Sequence, residues 1–280
     1  MTILDHIATC NRHDPSRFLP LFCADARIGW LRRDIAARLA AGAEPFPLED
    51  GRARLPDGLA TAEQRSAALD RAARLCGAPP LRGERYRVSA AWGQPDLCTV
   101  DRGVVSLFGV RAYGVHVNGF VRSGGRLKLW IAKRATDKAV APGKLDNLIA
   151  GGQPAGLSLA DNLVKEAAEE ADIPAALART ARPVGAVSYR HEDGWGLKPD
   201  TMFCYDLELP ADFVPRNTDG EVESFTLMEL DEVAHRLRTT DDFKFNVNLV
   251  IADFLIRHGV LTADDEPDYT AIVRGLRQGE

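Results

Sequence analysis

The chain has 280 residues, 45% hydrophobic and 27% charged, a composition that excludes collagen-like, low-complexity and wholly disordered proteins. Its 35 basic and 40 acidic side chains leave a formal charge of −5, so no global positive field draws in nucleic acid or an anionic membrane. An anionic ligand therefore needs a local cluster of cations, and the length points to two domains of roughly 150 residues each rather than one.

Five scattered cysteines, Cys10, Cys23, Cys76, Cys98 and Cys204, form no C-x-x-C, which suggests neither a zinc site nor a disulfide framework and fits a reducing cytoplasm. The opening MTILDHIATCNRHD is broken by charge and histidine, and no run of about 18 apolar residues follows, so neither a signal peptide nor a membrane span is expected.

In chain order, residues 28–40 set Ile28, Leu31, Ile35 and Leu39 at spacings of three and four, which predicts an amphipathic helix ending near Gly42. Thr61-x-x-Gln64 is a capping box opening a second helix, with Ala68, Leu69, Ala72 and Cys76 on one face and Gly77 and Pro79 as stops. Strands are predicted at 85–92 and 104–108, giving a small α+β unit over residues 1–111 of unknown role. Trp30, Tyr86 and Trp92 are expected in its core or at a domain interface.

From residue 113 the texture becomes short apolar strands, VHVNGFV, LKLWIA and LDNLIAGG, followed by a helix over 158–171 stopped by Pro174. Further strands are predicted at 184–189, 202–209 and 221–228, with a closing helix over 245–258. Strands interleaved with helices in residues 112–280 imply an α/β unit, a mixed sheet sandwiched by helices.

The stretch most informative for chemistry is residues 151–174. A glycine loop enters a helix capped by Ser158, and on that helix Glu166, Glu169 and Glu170 share one face at i, i+3 and i+4. Such crowding costs roughly 0.2–0.5 kcal/mol per pair, and a hard divalent cation reverses it. The alternative is a solvated acidic face. Lys133, Arg134, Lys138 and Lys144, just before the loop, supply cations for phosphates, or are ordinary surface charges.

With these residues the chain resembles the Nudix hydrolases, whose box reads G-x5-E-x7-R-E-U-x-E-E-x-G-U with U aliphatic. Gly151, Glu166, Ala167, Glu169, Glu170 and Ile173 fall in register; Leu157, Lys165 and Asp172 stand where the box has Glu, Arg and Gly. YGVHVNGFV, PGKLDNLIAGG, DGEVESFTLM and DFLIRHG extend the resemblance to a Nudix subfamily with an extra N-terminal domain of unknown function, related to thiamine pyrophosphokinase fusion proteins.

The resemblance implies a Nudix α/β/α sandwich that hydrolyses a diphosphate bond with Mg²⁺ or Mn²⁺, acting on thiamine diphosphate or its damaged analogues. It implies catalytic Glu166, Glu169 and Glu170, the first as base or ligand, and metal contacts from those three, the Gly151 carbonyl and Glu221. Glu221 and Glu223 read equally as alternating solvent-facing strand residues. For the substrate, Arg134, Lys144, Arg190 and Lys198 are expected at phosphates and Tyr189 and Trp195 at rings, residues 188–200 being taken as a recognition loop. His191 reads as exposed, His116 as a satisfied strand residue and Cys204 as core. The expected partner is a small-molecule diphosphate, with a homodimer as an option. Alternatives are a different nucleoside or sugar diphosphate and a non-catalytic ligand-binding module. A kinase is disfavoured because no G-x4-G-K-[ST] occurs.

Overall fold

In the computed structural model, which describes residues 1–78 and 80–279, the first half of the chain carries α1 (Ile3–Cys10), β1 (Phe18–Cys23), β2 (Ala26–Arg32), α2 (Arg33–Ala40), β3 (Leu48–Glu49), β4 (Arg52–Arg54), α3 (Ala62–Leu75), β5 (Arg85–Val88), β6 (Cys98–Asp101) and α4 (Val105–Phe108). A mixed sheet in the order β2-β1-β4-β3 and a separate β5–β6 pair enclose a core that includes Leu21, Leu31, Leu39, Leu69 and Phe108.

The α3 capping box forms as expected: Thr61 Oγ accepts the Gln64 amide at 3.2 Å, and the Gln64 side chain accepts the Thr61 amide at 3.1 Å. Pro79, expected as the stop of this helix, lies outside the described residues.

Two other expectations in this half fail. Residues 28–32 are strand rather than helix, because β2 pairs antiparallel with the apolar β1 from Phe18↔Arg32 to Cys23↔Ala26; α2 begins only at Arg33. Cross-strand pairing overrides the helical spacing, and the register shift opposite Leu21 and Phe22, which leaves Ile28 as an extra residue, lets Ile28 and Leu31 both be buried from a strand. Residues 104–108 are helical rather than extended, all four residues of α4 being buried, and a short, mostly apolar run carries no period to tell the two states apart.

The second half carries β7 (Tyr113–Ser123), β8 (Arg126–Arg134), β9 (Leu145–Asp146), β10 (Ile149–Gly152), α5 (Leu159–Ala171), α6 (Ala175–Ala178), β11 (Arg182–Glu192), β12 (Leu197–Glu208), β13 (Val222–Glu229), α7 (Leu230–Thr239), α8 (Val247–Arg257) and α9 (Tyr269–Gly275). The sheet runs β11-β12-β7-β8-β13, with β10 added on β7 and β9 on β8; β12 and β7 are parallel and the remaining pairs antiparallel. Strand alternation sends Val115 and Val117 to one face, against Leu163 and Ala167 of α5. The opposite face, with Phe120, Val187 and Met202, packs on α7, α8 and α9. The result is the α/β/α sandwich with a mixed sheet that the strand pattern implied.

By packing, α1 departs from a division at residues 111 and 112. Its Ile3, Ile7 and Cys10 are buried with α8, α9 and the β11 side of the sandwich, not with the core of α2 and α3. A ring nitrogen of His6 also hydrogen-bonds the Leu237 carbonyl at 3.0 Å. The first helix thus completes a layer whose other members lie more than two hundred residues later.

Candidate active site

The site is built where α5 packs on β10. Ser158 opens the helix by accepting the Asp161 amide at 3.1 Å, and Asp172 closes it in the left-handed conformation, with φ 53° and ψ 36°. Between these ends, Glu166 lies against the backbone of Gly151, so closely that a Cβ at that position would run into its carboxylate. One turn on, Glu170 accepts the Ala150 amide at 2.8 Å and is buried. Two of the three glutamates are therefore clasped to the β10 backbone. The third, Glu169, is exposed and accepts from Lys165 at 2.7 Å; Lys165 also reaches Glu166 at 3.2 Å.

The carboxylates repel one another. Burial pushes the Glu170 carboxyl up to about 8, and Glu166, Asp146 and Glu221 add to the rise while the Ala150 amide opposes it. Burial likewise raises Glu166, with Lys165 opposing and Glu169 and Glu84 adding to it. At Glu221 burial works upward too, but the ion pair with Lys138, together with Arg102 and Arg134, holds the group below the ordinary carboxylate value. Carboxylate oxygens and a backbone carbonyl suit a hard divalent cation rather than zinc, and an added positive charge relieves this repulsion. Among the described residues, no three His, Cys, Asp or Glu side chains already converge to hold an ion. Glu169 must exchange Lys165 for the ion to join such a set. In donor type and charge the residues fit a divalent metal.

A family model described as a domain of unknown function (DUF4743) matches residues 2–112. Among solved structures, a protein from Deinococcus radiodurans shares 20% identity and a TM-score of 0.47, the match covering 61% of this chain and 98% of that one. The sequence is 40% identical over 288 residues to Nudix hydrolase 20, chloroplastic, of Arabidopsis thaliana, covering 98% of this chain and 77% of the relative. It is 39% identical over 285 residues to Nudix hydrolase 24, chloroplastic, of the same plant, covering 99% and 78%. The chain belongs to the Nudix hydrolase family.

Its three departures from the Nudix box have local accounts. Asp172 adopts the left-handed backbone that glycine normally supplies at this helix exit, and its carboxylate lies 3.4 Å from Arg216. Lys165 holds two glutamates of the box. The loop is braced by Asn162, whose Nδ2 donates to the Gly152 carbonyl at 2.9 Å, and by Gln153, whose Nε2 donates to the Leu157 carbonyl at 2.8 Å. Leu157 itself is exposed.

The structure brings Gly151, Glu166, Glu169 and Glu170 together and sets Glu221 within electrostatic reach of Glu170. The cations expected at phosphates are instead largely committed. Arg134 pairs with the buried Asp146 at 2.7 Å and donates to the Val140 and Ala141 carbonyls. Lys144 pairs with Asp241 at 3.0 Å, Lys133 with Glu223 at 2.8 Å, and Lys198 with Asp200 at 3.4 Å. Residues 188–200 are not a loop but the facing ends of β11 and β12 around a short turn. Tyr189 is accordingly buried, its hydroxyl donating to Asp200 at 2.9 Å, so it offers no ring face. Trp195 sits exposed at the hairpin tip, where the neighbouring Gly194 carbonyl is held by Arg32. Arg190, on β11, faces a cleft shared with Arg27 and Arg111.

His191 is not free either; a ring nitrogen bonds the Thr9 carbonyl at 3.0 Å. His116 is buried and bonded to the Asn147 side chain at 2.8 Å, and burial holds its imidazole down to about 4. Cys204 lies in the core.

Sequence reasoning missed Asn162 and Gln153 as loop braces, and it expected Tyr86 in the core or at a domain interface without linking it to the glycine loop. Tyr86, from β5, packs its hydroxyl against Gly152, where a Cβ would collide with it. Trp92 contacts Tyr113 and Phe203 across the units, with centroids 4.7 and 4.6 Å apart. The glycine pair at 151 and 152 was the available signal, since adjacent glycines in a strand mark close approach by a neighbour.

Proposed function

We propose that this Nudix hydrolase cleaves a diphosphate bond of a small molecule with Mg²⁺ or Mn²⁺ bound by Glu166, Glu169, Glu170, Glu221 and the Gly151 carbonyl. The observation that carries the reading is the clasp of Glu166 and Glu170 on the β10 backbone, which gathers charged oxygens where a divalent ion is favoured. Bound there, such an ion neutralises phosphate charge and makes water more acidic. Glu166, lying on the loop backbone, serves either as one of the ion's ligands or as the base that takes a proton from the attacking water. Asn162 and Gln153 fix the loop, and Tyr86 closes one side of it.

Within this reading the substrate is thiamine diphosphate or a damaged analogue, cleaved to the monophosphate and phosphate. Its support is the resemblance of residues 113–121, 142–152, 219–228 and 253–259 to the Nudix subfamily related to thiamine pyrophosphokinase fusion proteins. A second reading, a ligand-binding module without turnover, is favoured by Lys165, whose ammonium already satisfies Glu166 and Glu169.

A panel of thiamine diphosphate, its oxidised analogue, ADP-ribose and nucleoside diphosphates, incubated with Mg²⁺ or Mn²⁺ and assayed for monophosphate and phosphate, separates these. Metal-dependent release from thiamine compounds supports the proposal. A preference of a hundredfold or more for ADP-ribose or a nucleotide replaces the substrate, and no release from any compound favours the binding module.

A further inference from the structure

A narrow cleft opens between the two units, lined by Arg27 and Trp30 of β2, Ser89 beyond β5, Arg111 just before β7 and Arg190 of β11, with Gly279 at its rim. Three arginines line it, with Arg27 and Arg111 both within electrostatic reach of Arg190. Among the described residues, the buried Arg111 Nε has no hydrogen-bond partner, and the Arg190 Nε has only a long contact, 3.4 Å, to the Gly279 carbonyl. Arg27 lies over the Trp30 ring at 4.9 Å from its centroid. Among the described residues none of the three pairs with a carboxylate. Elsewhere the same chain gives its partly buried arginines acids: Arg134 holds Asp146, Arg85 holds Asp70 and Arg257 holds Asp206.

Guanidinium groups stay charged, so three of them beside one cleft repel each other, and a buried donor without a partner adds its desolvation cost. Burial, and then Arg27 and Arg111, accordingly lower the Arg190 pKa. An oxyanion removes both penalties. A phosphate answers the charge of the cleft better than a carboxylate, because its greater charge meets more of the three cations and its oxygens match guanidinium forks; with about 20 Å³ of room, the cleft admits it when the exposed Arg27 swings aside.

We propose that Arg27, Arg111 and Arg190 form an anion site that binds the phosphate of a small-molecule ligand or free inorganic phosphate. The site is distinct from the glutamates. None of the residues lining the cleft belongs to the acidic site, and Arg111 lies three residues before Gly114, which pairs with Gly152 at the β10 edge of that site. Because Arg27 comes from the first unit and Arg190 from the second, an anion bound here also ties the two units together.

The test is thermal unfolding and calorimetric titration of the full chain with inorganic phosphate, at constant ionic strength set by sodium chloride. Phosphate at roughly ten times its Kd is expected to raise Tm by about 3 °C. Arg190→Gln and the exposed Arg27→Gln are expected to raise Tm without phosphate, by relieving repulsion, and to weaken phosphate binding at least tenfold. Glu170→Gln is expected to leave the phosphate response intact, which separates this site from the hydrolytic one.

Thiamine monophosphate forms a second arm: binding tighter than phosphate and equally sensitive to Arg190→Gln assigns the site to an organic phosphate, and binding no tighter assigns it to free phosphate. A phosphate shift no larger than that of chloride, or one unchanged in both arginine variants, overturns the proposal. Arg27→Gln keeps the test decisive if Arg190→Gln does not fold.

Discussion

At the scale of single residues, Glu170 and Asp172 show how α5 trades stability against charge. A buried carboxylate among other carboxylates is costly, so Glu170→Gln is expected to leave folding intact or improve it, because the amide removes the charge while filling the same space. Turnover is expected to fall on the order of a hundredfold or more, since an amide cannot offer the ion an anionic oxygen. Steady-state kinetics beside circular dichroism check both halves; near wild-type rates at saturating metal contradict the metal role.

At Asp172 the cost lies in the backbone, where a non-glycine residue is left-handed. Asp172→Gly removes roughly 1 kcal/mol of strain and loses only an exposed contact with Arg216, so a higher urea midpoint is expected. A lower midpoint shows that the Asp172 carboxylate matters more than its backbone.

Between elements, the junction of β12 with α8 depends on charge. Asp206 is buried on β12 and accepts from Arg257 at 2.5 and 3.0 Å, from His258 at 3.0 Å and from Asn118 at 3.2 Å. Burial works against its ionisation, but the hydrogen bonds from His258 and Arg257 prevail and hold the carboxyl at about 2, below the ordinary 3.8. A depressed folded-state pKa gives stability that is complete above the unfolded value, near 4, and is lost as pH falls through about 2. That difference corresponds to about 2 kcal/mol. Denaturant unfolding of wild type and Asp206→Asn between pH 7 and 2 is expected to show a gap that narrows below pH 4. A gap independent of pH there assigns the loss to packing instead.

Across the whole molecule, the two units are interlocked rather than strung together. α1 supplies Ile3 and Ile7 to the layer formed by α8 and α9, and burying each isoleucine contributes roughly 1.5–3 kcal/mol. A chain that begins at residue 112, which the sequence division presents as a self-sufficient sandwich, is therefore expected to unfold at least 10 °C below the full chain or without a cooperative transition. Adding residues 1–12 as a separate peptide is expected to recover part of that loss. Equal cooperativity and Tm in the truncated chain show that α1 adds nothing to the sandwich. Tyr86 and Trp92 make the same point at the site, since the first unit reaches Gly152 and Tyr113 through them.

What the sequence determined by itself is what local period, capping and spacing encode. Ser158 and Pro174 bound a helix, three glutamates share its face, and alternating apolar residues from 113 onward make a two-faced sheet, because side-chain direction follows backbone geometry within a few residues. Local pattern could not decide that residues 28–32 pair as a strand with β1, that Arg134 and Lys144 are held by Asp146 and Asp241, or that Tyr189 is buried beneath the hairpin it belongs to. The partners of a cation are set by acids that lie 12 residues away in one case and 97 in the other. The same holds for α1 and for the three arginines of the cleft, which stand at positions 27, 111 and 190 of the chain. Pairing, burial and convergence are properties of distant contacts, and only the tertiary structure makes them.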